Sequence, residues 1–270
     1  MRHPSAAGRF YPSDPDDLRL SVESCFRHPL GPGVPVGSGC GRSIRAAMVP
    51  HAGYMASGMN AANVYASILS DGLPSTYVVI GPDHHGMAGD TVLCSEPFAT
   101  PLGICRTDTG LIGELSGYFP DRPDAHALEH SVEVQVPFIQ FIDPDPRIVP
   151  IMMGDQSPDA ARELSDVLRE VCDGRDVVVI ASTDMSHYVP KPVARDRDLA
   201  VLDRILDMDV GGMYGVVRDR RVSMCGYGPV AAAMWFCGEG SAELLRYSDS
   251  FDSLGYDPGS VVGYASVLFR

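Results

Sequence analysis

The feature that most limits how this chain can fold is a repetition. Three short apolar runs, at residues 46–49, 77–80 and 177–181, each end in a polar turn that carries histidine. The first delivers His51 directly after Pro50. The second ends in Gly81-Pro82-Asp83-His84-His85-Gly86, and the third in Ser182-Thr183-Asp184-Met185-Ser186-His187-Tyr188. Apolar runs of this length, bounded by Gly, Pro and Asp, read as buried strands. In open α/β sheets the crevice beyond the carboxyl ends of the strands is where ligands and chemistry sit. His51, His84 and His187 are therefore expected to converge on one site.

The rest of the chain fits an alternation of strands and helices. A helix is expected over 14–26, a Gly/Pro-rich surface loop over 29–41, and a first strand over 44–49. A helix over 57–69, capped by Ser57, should follow. Residues 91–94 and 104–107 read as a hairpin broken at Pro101-Leu102-Gly103. Residues 129–138 alternate at first like a strand, but Ser131 as a cap favours helix. Strands at 147–152 and 177–181 flank an amphipathic helix at 158–171. A charged helix over 193–208, a short buried helix ending at Phe236, and closing strands at 243–247 and 261–269 complete the chain. This is the α/β class: a single-domain mixed sheet with helices on both faces, spanning 1–270. No repeat, low-complexity tract or linker divides it.

Composition removes whole classes of function. A net charge of −14 and a pI near 4.8 argue against nucleic acid or an anionic membrane as a partner. The chain has 20 arginines but one lysine, Lys191, so there is no P-loop, and a Schiff-base enzyme would depend on Lys191 alone. No Gly-x-Ser-x-Gly elbow is present. The N-terminus does not read as a signal peptide, and no apolar run reaches the ~20 residues of a membrane span. Seven cysteines without paired spacing point to a reducing, cytoplasmic setting, with Cys94, Cys172 and Cys237 as small core residues.

Imidazoles that converge without an activated serine point to a metal, for which neutral imidazole is a common ligand. Cys225 lies in the turn Cys225-Gly226-Tyr227-Gly228-Pro229, where a helix start would favour thiolate. As a third ligand it would soften the site towards copper, iron or zinc rather than magnesium. Glu129, His130 and Glu133, with His85 and Tyr54 beside the two histidine turns, are candidates to orient ligands or meet substrate. A solvated helix start is the plainer reading of Glu129, His130 and Glu133. His3 and His28 read as surface residues.

Five stretches together resemble the Memo family, named for a mediator of cell motility. They are residues 6–12 (Ala-Ala-Gly-Arg-Phe-Tyr-Pro), 50–54 (Pro-His-Ala-Gly-Tyr), 81–85 (Gly-Pro-Asp-His-His), 129–138 (Glu-His-Ser-Val-Glu-Val-Gln-Val-Pro-Phe) and 225–229 (Cys-Gly-Tyr-Gly-Pro). They run in order over nearly the whole chain. The resemblance implies a fold similar to class III extradiol dioxygenases, whose non-haem metal sits at strand ends. It implies His51, His84 and Cys225 as metal ligands and His187 as the acid–base group. It also implies iron or copper redox chemistry and, for eukaryotic members, phosphopeptide binding. A thiolate replaces the carboxylate of the dioxygenases, which sets ring cleavage apart from what the resemblance carries.

The expected function is that of a metal-dependent oxidoreductase acting on a small molecule, with O₂ as co-substrate. His187 would move protons and Asp184 would orient it. Two alternatives stand beside it: a non-catalytic scaffold that binds a peptide or small anion, and a zinc hydrolase.

Overall fold

The computed structural model describes residues 1–37, 39 and 41–270. Ser38 and Cys40, within the expected surface loop, lie outside the described residues.

The strands are β1 (Ala46–Val49), β2 (Thr76–Pro82), β3 (Thr91–Leu93), β4 (Phe98–Thr100), β5 (Gly103–Thr107), β6 (Arg147–Met153), β7 (Val177–Ser182), β8 (His187–Val189), β9 (Ala242–Asp249) and β10 (Val261–Phe269). The helices are α1 (Pro15–Arg27), α2 (Tyr54–Asp71), α3 (Thr109–Leu115), α4 (Pro123–His126), α5 (Val136–Ile142), α6 (Pro158–Val171), α7 (Lys191–Leu206), α8 (Val210–Asp219), α9 (Tyr227–Cys237) and α10 (Ser250–Leu254). All strands join one sheet in the order β4-β5-β6-β2-β7-β1-β10-β8, with β3 also on β6 and β9 also on β10. Strands β5, β6, β2, β7 and β1 are parallel; β10 closes against β1 antiparallel.

Side-chain alternation along the central strands builds two cores, one on each face. Met48, Val78, Ile80, Val179, Ala181 and Val267 point to the face covered by α3, α6, α7, α8 and α9. Ala47, Val49, Tyr77, Val79, Val178 and Ile180 point to the face covered by α1, α2 and α5. The central strands are buried on both faces, so they read as unbroken apolar runs. Where α1 crosses α2, a Cβ on Gly58 would sit 2.4 Å from Cys25 Sγ, so only glycine allows that approach. The mixed sheet with helices on both faces is thus the architecture expected from sequence.

Several local expectations are corrected. Helix α2 starts at Tyr54, not at Ser57: the Tyr54 N–H donates to Phe10 O (2.8 Å), so the N-terminal segment takes over the capping. Ser57 lies buried in the helix, its Oγ donating to Ala52 O. Strand β3 does not pair with β5 but runs antiparallel to β6; the hairpin is β4–β5, turning at Gly103 with φ +124°. Residues 129–132 form a loop rather than a helix start, then a 3₁₀ turn (Glu133–Gln135) leads into α5. His187 lies on β8, an edge strand paired with β10, rather than in a free turn. No described helix is long and apolar enough to cross a membrane.

Candidate metal centre

The site forms where β2, β7 and β1, adjacent in the sheet, end side by side. His51 and His84 each lie two residues past their strand, beyond Val49 and Pro82. Cys225 arrives from the loop before α9. A Cβ on Gly226 would meet Ser182 O at 2.5 Å, so glycine lets that loop reach the end of β7. Gly226 N–H donates to Thr183 Oγ1 (2.8 Å). Gln156 clamps the loop from the other side: its Nε2 donates to Cys225 O (2.8 Å) and its Oε1 accepts from Gly228 N–H (3.0 Å).

His51 is buried, and its ring is held at both ends. Nδ1 lies 2.9 Å from Ser182 Oγ, and Nε2 lies 3.3 Å from Cys225 Sγ. Its backbone N–H donates to Asp184 Oδ1 (2.9 Å). Burial, reinforced by the neighbouring His130 and His84, drives its pKa well below the ordinary histidine value, so the ring is neutral.

His84 is partly exposed and tied to Glu129. The carboxylate accepts from His84 Nδ1 (2.9 Å), His84 N–H (2.7 Å), His130 N–H (2.9 Å) and Ser131 N–H (2.8 Å). Burial opposes its ionisation, but His84 and these N–H groups outweigh burial and hold Glu129 far below the usual carboxylate range. An ionised carboxylate only accepts, so His84 Nδ1 carries a proton and Nε2 is left for the site. Burial also works against charge on His84; the hydrogen bond and charge of Glu129 overcome it and raise the His84 pKa. His130 sits between the two, its ring centroid 5.4 Å from His51 and 4.6 Å from His84. Burial pushes its pKa down to about 4. Phe10 stacks on His130 at 4.3 Å.

Cys225 Sγ receives the Asp184 N–H (3.2 Å) and lies 3.8 Å from Thr183 Oγ1. The expected depression of its pKa by a helix start does not hold. Helix α9 begins at Tyr227 with Gly226 as its cap, leaving Cys225 outside the first turn. Burial, and then the Asp184 charge, push the thiol up instead. Asp184 likewise departs from the expectation that it orients His187. The chain after it turns to pair with β10, and Asp184 joins His51 to Cys225, with burial raising its pKa. His187 is oriented by Ser223: its N–H donates to Ser223 Oγ (2.7 Å), and Nδ1 lies 2.8 Å from Ser223 O. A carbonyl accepts only, so Nδ1 carries the proton and Nε2 is free.

Three candidates lie elsewhere. Glu133 is wholly buried at the N-terminal segment, accepting from Arg2 Nη1 (2.5 Å), Ser5 N–H, Ala6 N–H and Tyr11 OH. It anchors the loop whose Phe10 covers His130, and so acts at one remove. Tyr54 spends its hydroxyl on Val134 O (2.8 Å). His85 faces solvent, its N–H held by Asp83. Ser182, Gln135, Gln156, Thr183 and Phe10 were not singled out from sequence. Gln135 and Phe10 lie within the stretches that carry the Memo resemblance, which is the signal that could have found them.

A sequence model for a family described as Memo-like protein matches residues 2–268. The chain belongs to the Memo family. A MEMO1 family protein of Methanothermobacter thermautotrophicus is 44% identical over 98% of this chain and 99% of its own length. One from Ignicoccus hospitalis is 43% identical, covering 100% and 98%, and one from Methanopyrus kandleri is 40% identical, covering 100% and 99%. Among solved structures, an uncharacterized protein from Escherichia coli K12 aligns with a TM-score of 0.56 and 13% identity, over 84% of this chain and 100% of its own. That likeness concerns the fold alone.

In this Memo-family chain the donor atoms of His51, His84 and Cys225 lie within 4.8 Å of one another. Two imidazole Nε2 donors and one sulfur fit a transition metal that prefers softer ligands. His84, Glu129 and His130 form a second group of the same size. Its carboxylate already accepts four N–H groups, so the set with Cys225 fits an ion better.

Proposed function

We propose that the chain is a metal-dependent oxidoreductase of the Memo type, acting on a small electron-rich molecule with O₂ as electron acceptor. The observation that carries this reading is the 3.3 Å approach of His51 Nε2 to Cys225 Sγ, with His84 in the same cluster. His51, His84 and Cys225 would hold iron or copper, with zinc the hydrolytic alternative. When bound, a redox-active ion would pass electrons from the substrate to O₂.

The chain's own groups do the rest. Glu129 holds His84 in register, as carboxylates behind metal-bound histidines do. The Asp184 N–H favours charge on the Cys225 sulfur. His187, with Nδ1–H spent on Ser223 O, offers Nε2 to accept or return a substrate proton. Phe10 and His130 wall one side of the site against water.

The test is anaerobic purification with metal analysis, then oxygen-electrode traces with catechols and other small reductants. Wild type loaded with iron(II) or copper should consume O₂, and His51→Ala should not. Identical traces would end the oxidoreductase reading. The scaffold alternative draws support from one feature, a groove of about 410 Å³ lined by Arg9, Phe10, Pro12, Ser21 and Met55. Metal-independent phosphopeptide affinity, lost in Phe10→Ala, would favour it.

A further inference from the structure

We propose that Ser182, held by Gln135, is a positioning residue that locks His51 into the tautomer that presents Nε2 as a metal donor. The proposal rests on the reading of His51 as a ligand, and the argument is one of counting donors and acceptors. Pro50 O can only accept, and it takes a hydrogen from Gln135 Nε2 (3.0 Å). Tyr65 OH donates to Gln135 Oε1 (2.9 Å). These two contacts fix which end of the amide faces which way. The second Gln135 Nε2 hydrogen therefore points at Ser182 Oγ (2.8 Å).

Ser182 Oγ has one hydrogen and two lone pairs. The hydrogen goes to Ser131 O (2.7 Å), another group that can only accept. Gln135 occupies one lone pair. What remains for His51 Nδ1, at 2.9 Å, is the other lone pair, so Nδ1 must carry the ring proton. Nε2 is then left with its lone pair facing Cys225 Sγ. The sulfur can donate or accept, so it does not choose the tautomer; the chain from Pro50 through Gln135 and Ser182 does. Gln135, Ser182 and Ser131 are fully buried, so no bulk water competes for these bonds. His84 reaches the same tautomer by a charged route, through Glu129. His51 reaches it through neutral groups alone, Ser182 and Gln135.

The experiment uses the full chain labelled with ¹⁵N-histidine, observed first without metal and then titrated with zinc alone against a competing chelator. Wild type should show His51 with the proton on Nδ1 and a bare Nε2. Ser182→Ala should shift His51 towards the Nε2–H form and weaken zinc binding by roughly 10–100-fold. Gln135→Leu should move both readouts in the same direction. A purely structural role for Ser182 would change stability and leave the tautomer alone. Wild-type His51 protonated on Nε2, or Ser182→Ala retaining Nδ1–H, would overturn the proposal. Should Ser182→Ala fail to fold by circular dichroism, the wild-type tautomer and Gln135→Leu decide it. A wild type that keeps Nδ1–H but binds no zinc would refute the ligand reading of His51 while sustaining the lock.

Discussion

His51 Nε2 and Cys225 Sγ lie 3.3 Å apart although 174 positions separate the two residues in the chain. His84 comes from a third segment to complete the set. Each donor is therefore supplied independently, and no one of them is built into another's local structure. Alanine at His51, His84 or Cys225 should each lower metal content after anaerobic purification and reconstitution, with an unchanged circular dichroism spectrum. Full occupancy in Cys225→Ala would take the thiolate out of the site.

Glu129→Gln tests the support behind His84. The amide keeps the shape but loses the charge, and it presents one oxygen where the carboxylate offers two to four N–H groups. Metal affinity should fall roughly 10–100-fold, as for other groups behind metal-bound histidines. An affinity equal to wild type, measured by chelator competition, would show that His84 orients itself.

His187→Ala should keep the metal and lose turnover by roughly 10²–10⁴-fold, the usual worth of a positioned acid–base group. Single-turnover rates alongside metal content separate the two roles. Metal loss as severe as in His51→Ala would make His187 a ligand instead.

Glu133 gives a prediction in pH. Burial works against its charge, but Arg2, Tyr11 and the Ser5 and Ala6 N–H groups outweigh burial and lower its pKa below the ordinary 4.5. With the folded value below the unfolded one, the unfolded chain binds the proton first as pH falls. The stabilisation is thus full above pH 4.5 and is lost as pH drops through the folded value. The Arg2–Glu133 pair is buried at both ends, so Glu133→Ala should cost roughly 3–5 kcal/mol at neutral pH. Thermal melts should show that gap narrowing only in acid. A gap independent of pH down to 3 would mean the charge is not what anchors the segment.

Legibility varied with the range of the signal. The apolar runs of β1, β2 and β7 and the histidines past their ends could be read directly, because strand burial and turn residues are local properties. The start of α2 could not, because its capping partner is Phe10 O, far away in the chain. The partner of β3 is hidden for a similar reason: Thr91–Leu93 satisfies its backbone on β6, which comes more than 50 residues later, rather than on the nearer β5. Glu133 and Glu129 lie four residues apart in one stretch and looked alike. One anchors the N-terminal segment and the other holds His84, a difference set by the turn between them.

The sequence by itself determined the α/β class, the family, and the histidines at the strand ends, since alternation, turn chemistry and motif order are written along the chain. The tertiary structure alone decided that Ser223 rather than Asp184 orients His187, that Tyr54 and His85 stand outside the cluster, and that Ser182 faces His51 Nδ1. For Ser182, Tyr54 and His187 the outcome is a choice of hydrogen-bond partner between segments apart in the chain. Such choices follow from which strands lie side by side and in what register, and a one-residue slip in β7 would turn Ser182 to the other face.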